Sequence, residues 1–347
     1  MKKPEGLFKW RKKMKKVFVT LLVVLIAVAS VFAQGSTEAS GTKVLKLGST
    51  SPAGSSHEKA LLYFQERLKE VSGGKLDVSI HMAGALGTTA QQFAQLQEGT
   101  LDIFLCGFDT SATLREGSDF AVVCVPFAFD DMDHYQRFVN SDLCKEMIAK
   151  VEKANGLHFF GLITPTNPRA LSTTNKYISS VEDVKNLKIR VPETQAIYKM
   201  WEALGANPVI ISGGELYSAL QSGLADGQDN DVVGSESSGF GEVLKYFAEI
   251  DYIQQALVTW FSQITWDKLS AEEQGWLNTA LAQTFEGFGQ ITRDGYEASK
   301  QKLIDQGVVF CDVDVESFRV AAAEAVKEMD GVLFTKGLYD KIRALAN

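Results

Sequence analysis

"LQSGLAD", residues 220–226, repeats the pattern of "LQEGTLD", residues 96–102. Both read Leu-Gln-x-Gly-x-x-Asp, and each closes the same succession of strand, loop and helix. In one copy "VSIHM" (78–82) precedes "TTAQQFAQLQEG" (88–99); in the other "PVIIS" (208–212) precedes "GGELYSALQSG" (213–223). Gly99 and Gly223 stand where a helix ends in a left-handed residue that needs no side chain. The copies are too far apart for a solenoid repeat, but the spacing suits two lobes built on one plan.

Strand and helix signals alternate around both copies. "VLKLGST" (44–50) and "KLDVSIHM" (75–82) read as strands, and Ser55-Ser56-His57-Glu58 opens a helix whose apolar positions are Leu61, Leu62, Phe64 and Leu68. Gly73-Gly74 stops that helix. Thr88 with Gln91 makes a second capping box, and "LDIFLCG" (101–107) is the next strand. Such alternation predicts parallel sheets covered by helices. Ser270 with Glu273 caps a third stretch, in which Trp276, Leu277, Leu281, Phe285 and Phe288 recur at helical spacing up to Gln306. It is either one helix of roughly 50 Å at about 1.5 Å per residue or two helices bent near Phe288-Gly289.

In "NLKIRVPET" (186–194), Leu187, Ile189 and Val191 alternate with Lys188 and Arg190 at the period of a strand that Pro192 ends. An arginine in the middle of so short an apolar strand needs an anionic partner.

The first 16 residues carry eight Lys or Arg against Glu5 alone, and "VFVTLLVVLIAVASVFA" follows, ending in small residues at Val31 and Ala33. That is the form of a secretory signal peptide over 1–33, with a flexible tether over 34–43, and it places the mature chain in the periplasm. The run is short for a membrane anchor. The 35 cations and 43 acids of the whole chain become 27 and 42 from Gln34 onward, a net charge of −15. Such a field repels nucleic acid and anionic membranes, so an anionic ligand would have to be held by a few local cations. Cys106, Cys124, Cys144 and Cys311 form no CxxC pair and read as buried thiols.

No HExxH, GxSxG or Walker sequence occurs, and His57, His81, His134 and His158 are scattered. "DNDVVG" (229–234) lacks the ligands of a calcium loop, and "DDMD" (130–133) reads as a helix start. No cofactor, metal or catalytic group is expected, and the reading is not an enzyme. A secreted enzyme acting on an acidic sugar stays a weaker alternative.

"RALSTTNKYISSVEDVKNLKIRVPE" (169–193) with "ALGANPVIISGGELYSALQSGLADGQDN" (203–230) resembles the substrate-binding proteins of the tripartite ATP-independent periplasmic (TRAP) transporters. "GGKLDVSIHMAGALGT", "QLQEGTLDI" and "VPFAF" resemble further segments of that family in the same order, so the likeness covers nearly all of the mature chain. The resemblance implies an α/β, periplasmic-binding-protein-like fold: two α/β lobes with a ligand cleft between them, joined by crossing strands and a long helix. Lobe I is then expected over 44–166 plus 256–295, and lobe II over 167–255 plus 296–347. The implied partners are a small carboxylate ligand and the membrane subunits of a TRAP permease, with the binding protein a monomer. Delivery to a sensory receptor instead of a permease is an alternative that the sequence leaves open.

The resemblance also carries roles onto residues. Arg190 matches the arginine that grips the ligand carboxylate through two hydrogen bonds. Arg169 matches one that often reaches the same ligand, with an interlobe salt bridge as its other reading. Asn230 matches a ligand-donating asparagine, but Asp229 and Asp231 replace the usual Glu and Pro, and a cleft-facing Asp229 could accept sugar hydroxyls. Ser212-Gly213-Gly214-Glu215 lacks a bulky wall, and Asp251-Tyr252 stands where many members carry Asn-His. These departures point to a hydroxylated acid, a uronate or aldonate, ahead of a C4-dicarboxylate. His57 is expected to face the cleft from lobe I or to serve the helix cap.

Overall fold

Two sheets organise the chain. The computed structural model describes residues 41–51 and 53–346; the expected signal peptide and most of the tether lie outside these residues. The first sheet contains β1 (Lys43–Ser49), β2 (Leu76–His81), β3 (Ile103–Gly107), β4 (Leu157–Pro165) and β10 (Ala256–Ser262), in the order β2-β1-β3-β10-β4. The second contains β5 (Arg169–Thr173), β6 (Lys188–Val191), β7 (Asn207–Ile210), β8 (Gly227–Asn230), β9 (Tyr246–Ile253) and β11 (Val309–Phe310), in the order β11-β9-β5-β8-β6-β7.

The duplicated sequence becomes a duplicated clamp. Gly99 and Gly223 both end their helices in the left-handed region, each with φ of 72°. Three residues on, Asp102 accepts the Lys46 N–H at 2.7 Å and Asp226 accepts the Lys188 N–H at 2.9 Å. The side chains of these lysines reach back to the same turns, Lys46 Nζ to Thr100 O at 3.2 Å and Lys188 Nζ to Gly223 O at 2.6 Å. The parallel registers then match, Leu47 opposite Ile103 and Ile189 opposite Gly227. A carboxylate that takes an otherwise unpaired strand N–H fixes where pairing begins, because a buried donor left unmatched costs about 1–3 kcal/mol.

Three connections join the sheets. β4 leads into β5 and β9 into β10, and the two crossings are tied where Thr166 donates to Gln255 O through both its N–H, at 3.0 Å, and its hydroxyl, at 3.2 Å. The third is the helix Ala271–Asp305, 35 residues without a break, its start closed by the Ser270–Glu273 capping box. The division into two helices allowed near Phe288-Gly289 does not occur; both residues are buried, and the Phe288 ring packs 6.0 Å from Tyr63. The N-terminal half of the helix buries Leu277 and Leu281 against the first sheet with Leu61, Phe64 and Phe261. Its C-terminal half buries Leu303 with Phe247 of the second sheet and bonds Lys302 to Glu236 at 3.0 Å.

Some local expectations differ from the structure. Leu62, expected in the core, is half exposed, and Ala60 takes its place on the buried face of helix Ser56–Val71. The four cysteines are free; three are buried and Cys311 is partly exposed. The C-terminal helix Leu338–Arg343, expected with lobe II, docks on lobe I. There Ile342 O bonds His134 Nε2 at 2.9 Å, Arg343 pairs with Asp130 at 2.8 Å, and Leu345 O takes Arg137 Nε at 2.8 Å. Leu338 and Ile342 are buried in a core that runs across both lobes, with Phe129 and Phe138 of the first and Trp201 and Phe318 of the second.

Candidate functional site

The cleft-facing rims of the two sheets are set by strand direction. β1 and β3 run parallel and end at Ser49 and Gly107, while antiparallel β10 starts at Ala256 and pairs with Pro165 of β4. In the second sheet β6 and β8 end at Val191 and Asn230, and antiparallel β5 starts at Arg169. Ligand sites in open α/β sheets form beyond such strand ends, where the order of the strands changes. Arg190, Arg169, Asp229 and Asn230 all sit on this rim of the second sheet.

Arg169, Asp229 and Tyr252 form one network, joined by Trp201. Arg169 Nε and Nη2 donate to Asp229 Oδ1, and Nη2 also donates to Asp229 O at 2.8 Å. The other carboxylate oxygen accepts Trp201 Nε1 at 2.8 Å and the Tyr252 hydroxyl. Asp229 is fully buried. It is the counter-ion of Arg169 and not an acceptor for sugar hydroxyls, because both of its oxygens already have donors. Tyr252 is likewise enclosed, and its phenol faces Asp229 instead of the cleft. The interlobe salt bridge considered for Arg169 is replaced by an ion pair within the second lobe. Burial alone would pull the Arg169 pKa down, but the Asp229 carboxylate more than reverses this and raises it.

Arg190 is built differently. It is only 7% exposed, yet no carboxylate pairs with it, and its Nε donates to Ile211 O at 2.8 Å. Among the described residues neither terminal nitrogen has a hydrogen-bond acceptor. Burial, aided by the Arg169 charge and opposed by Asp229, brings its pKa down to about 10. It is therefore charged at neutral pH, with the paired-donor edge of the guanidinium free for a planar anion.

The remaining expected residues divide. Asn230 lies at the rim, its Oδ1 accepting Asp231 N–H at 3.0 Å and its Nδ2 donating to Gln228 Oε1 at 3.3 Å. His57 belongs to the first lobe, and its Nδ1 meets Ser51 Oγ at 2.8 Å. It does not cap its helix; Ser55 does, accepting Glu58 N–H. Burial holds the imidazole pKa down to about 4, so it is neutral at pH 7. Asp251 stands apart from the network, exposed, with φ of 46°, beside Glu249 and Lys300. Gly213 and Gly214 face open space, with nothing within 4 Å of an added Cβ.

Three acceptors in or beside the cleft were not among the expected residues. Asp109, just beyond the end of β3, approaches the Thr194 hydroxyl of the second lobe at 3.4 Å. Burial pushes its carboxyl up, and the Arg169 charge draws it back. Asp231 caps helix Val232–Ser237 by accepting Gly234 N–H at 2.7 Å, and burial raises its carboxyl too. Gln228 is buried and donates to Ser235 Oγ at 3.0 Å. The available signal for Asp109 was an acid directly after a central parallel strand. Among the described residues no group of His, Cys, Asp and Glu is arranged to hold a metal ion. A surface hollow of about 580 Å³ beside Tyr63 and Gly287 lies away from the cleft, and its cation Arg67 is paired with Glu70 at 2.7 Å.

Comparisons with known proteins bear on the family and the fold. The family described as bacterial extracellular solute-binding protein, family 7, matches residues 47–331. A sialic acid-binding periplasmic protein of Vibrio cholerae is 27% identical over 311 residues, 90% of this chain and 95% of that protein. The crystal structure of a TRAP periplasmic solute-binding protein from Roseobacter denitrificans, with bound L-galactonate, has a TM-score of 0.77 at 23% identity and covers 88% of this chain and 100% of its own. One from Fusobacterium nucleatum, with bound sn-glycerol 3-phosphate, has a TM-score of 0.79 at 25% identity and covers 87% and 96%.

Proposed function

The chain belongs to the bacterial extracellular solute-binding proteins of family 7, the binding proteins of TRAP transporters, and from that premise we propose that it captures a small hydroxylated organic acid and hands it to a membrane permease. The observation that carries this reading is Arg190: buried, charged, held by one backbone bond and without a counter-ion. A buried charge of this kind is costly unless a partner arrives, and a ligand carboxylate supplies one. The three proteins bind sialic acid, an aldonate and a phosphomonoester, which share an anionic group and at least two hydroxyls. A sugar acid, uronate or aldonate, is favoured here, with a C4-dicarboxylate next.

Arg169 and Asn230 flank Arg190 on the same rim and would position the acid. Asp229 and Tyr252 act one step back, by holding Arg169 in place. Ligand bound between the lobes stabilises the closed state by its greater affinity for that state. The protein acts as a carrier without catalysis, exported to the periplasm by residues 1–33 and working as a monomer. The lobes divide near Thr166 and Gln255, with the C-terminal helix on lobe I.

A thermal-shift screen of ligand-free protein from Gln34 onward against uronates, aldonates, dicarboxylates, keto acids and amino acids tests the reading. A ligand at 100 times its Kd adds about 2.7 kcal/mol, or roughly 5–10 °C in Tm for a chain of this size. Stabilisation by a hydroxylated acid supports the proposal; a folded, ligand-free protein that no carboxylate stabilises refutes it.

A further inference from the structure

We infer that Asp109 is the residue with which the first lobe selects the ligand, accepting a hydroxyl, and that the cleft takes an acid with a single negative charge. This rests on the reading of the cleft given above and narrows its ligand class.

The charges around the cleft support a monoanion. Of the two arginines, Arg169 is already neutralised by Asp229, and His57 is neutral at pH 7. Among the described residues at this rim, only Arg190 offers a cation without a protein counter-ion. Against it stand two further carboxyl groups, Asp231, which takes Gly234 N–H as a helix cap, and Asp109 in the opposite lobe. One ligand carboxylate on Arg190 therefore meets the available positive charge, and a second would have none.

Asp109 is placed to enforce that limit. It follows the central strand β3 and faces the second lobe, where its donor is the Thr194 hydroxyl at the long distance of 3.4 Å. Cys124 lies on its other side, with Arg169 near enough for its charge to be felt. Its other donors are its own backbone N–H, that of Thr110 and the Cys124 thiol, and the residue stays partly exposed. A ligand hydroxyl can donate to it, whereas an ionised carboxylate has no proton to give and adds a like charge in a partly desolvated site. The same group thus favours a polyhydroxy monoacid and rejects a diacid of the same length, which is how specificity is built from a repulsive element.

The test uses L-galactonate and galactarate, which share a carbon chain and differ in a terminal CH2OH against a second carboxylate. Calorimetry on ligand-free protein should show the aldonate binding at least about 100-fold tighter than the diacid, since like-charge juxtaposition costs several kcal/mol. Asp109→Asn keeps the size and removes the charge; it should weaken the aldonate, strengthen the diacid and bring the ratio below about 10-fold. An unchanged ratio in a variant with wild-type Tm overturns the inference. Should that variant fail to fold, the wild-type ratio decides alone, and equal affinities for the two acids overturn the inference while leaving the proposed function intact. If no acid of the wider panel binds the wild type, the functional reading itself falls and the inference with it.

Discussion

The two lobes carry the same aspartate clamp and differ at the residue two positions past its lysine. Lys46-Leu47-Gly48 of the first lobe and Lys188-Ile189-Arg190 of the second leave the same aspartate clamp in the same register. At the third position the first lobe has no side chain, and a Cβ on Gly48 would lie 2.2 Å from Gln92 Oε1. Gln92 is wholly buried and fills the space. The second lobe puts a guanidinium there. The clamp therefore occurs twice, while among the described residues the unpaired guanidinium stands on the second side only, and the first lobe carries the acid Asp109 just past β3. On the proposed function, this asymmetry is what orients an asymmetric ligand, acid end toward Arg190.

The largest expected effect tests that asymmetry directly. Arg190→Ala should lower affinity by roughly 150- to 4,000-fold, the equivalent of about 3–5 kcal/mol for a buried charge left alone, while costing stability only about 1 kcal/mol for the lost Ile211 bond. Calorimetry and thermal melting read the two quantities separately. Affinity within threefold of wild type would mean that the lobes do not differ in the way described.

Asp229→Ala should act on stability by a similar amount, about 3–5 kcal/mol. It strands Arg169, Trp201 Nε1 and the Tyr252 hydroxyl together. Urea unfolding followed by tryptophan fluorescence measures it, and a loss under about 1 kcal/mol would show that Asp229 is not the anchor of Arg169.

For His57 the folded pKa of about 4 lies below the ordinary value of 6.5, so the folded state prefers the neutral ring. This contribution is fully present above pH 6.5 and is lost as pH falls toward 4, by up to about 3 kcal/mol at 1.36 kcal/mol per unit. His57→Gln should flatten the decline of urea midpoints between pH 6.5 and 4.5; an unaltered slope would place the acid sensitivity elsewhere.

The smallest effect sharpens the likeness instead of the difference. Asp102→Ala and Asp226→Ala should each cost about 1–2 kcal/mol by freeing a strand N–H. Because the clamps lie in separate sheets, the double variant should equal the sum within about 0.5 kcal/mol. Unequal single costs would show that the two clamps carry different loads.

Local signals decided much of this protein from the sequence. The capping residues Thr88 and Ser270, the stops at Gly99 and Gly223 and the strand around Arg190 each rest on residues within a few positions of one another, where backbone geometry and hydrogen bonding depend on short-range contacts, and the two-lobe plan followed from the recurrence of one such local pattern. The role of Asp229 did not follow from its neighbours, since its partner Arg169 lies 60 residues away. Asp109 meets Thr194 across 85 residues, and the C-terminal helix reaches His134 across 208. Which carboxylate neutralises an arginine, and which arginine is left for a ligand, is settled by distances in space, because the energy of a buried charge depends on what lies within a few ångströms of it. The sequence by itself determined where a cation would stand; only the tertiary structure decided that Arg169 is already paired and Arg190 is not.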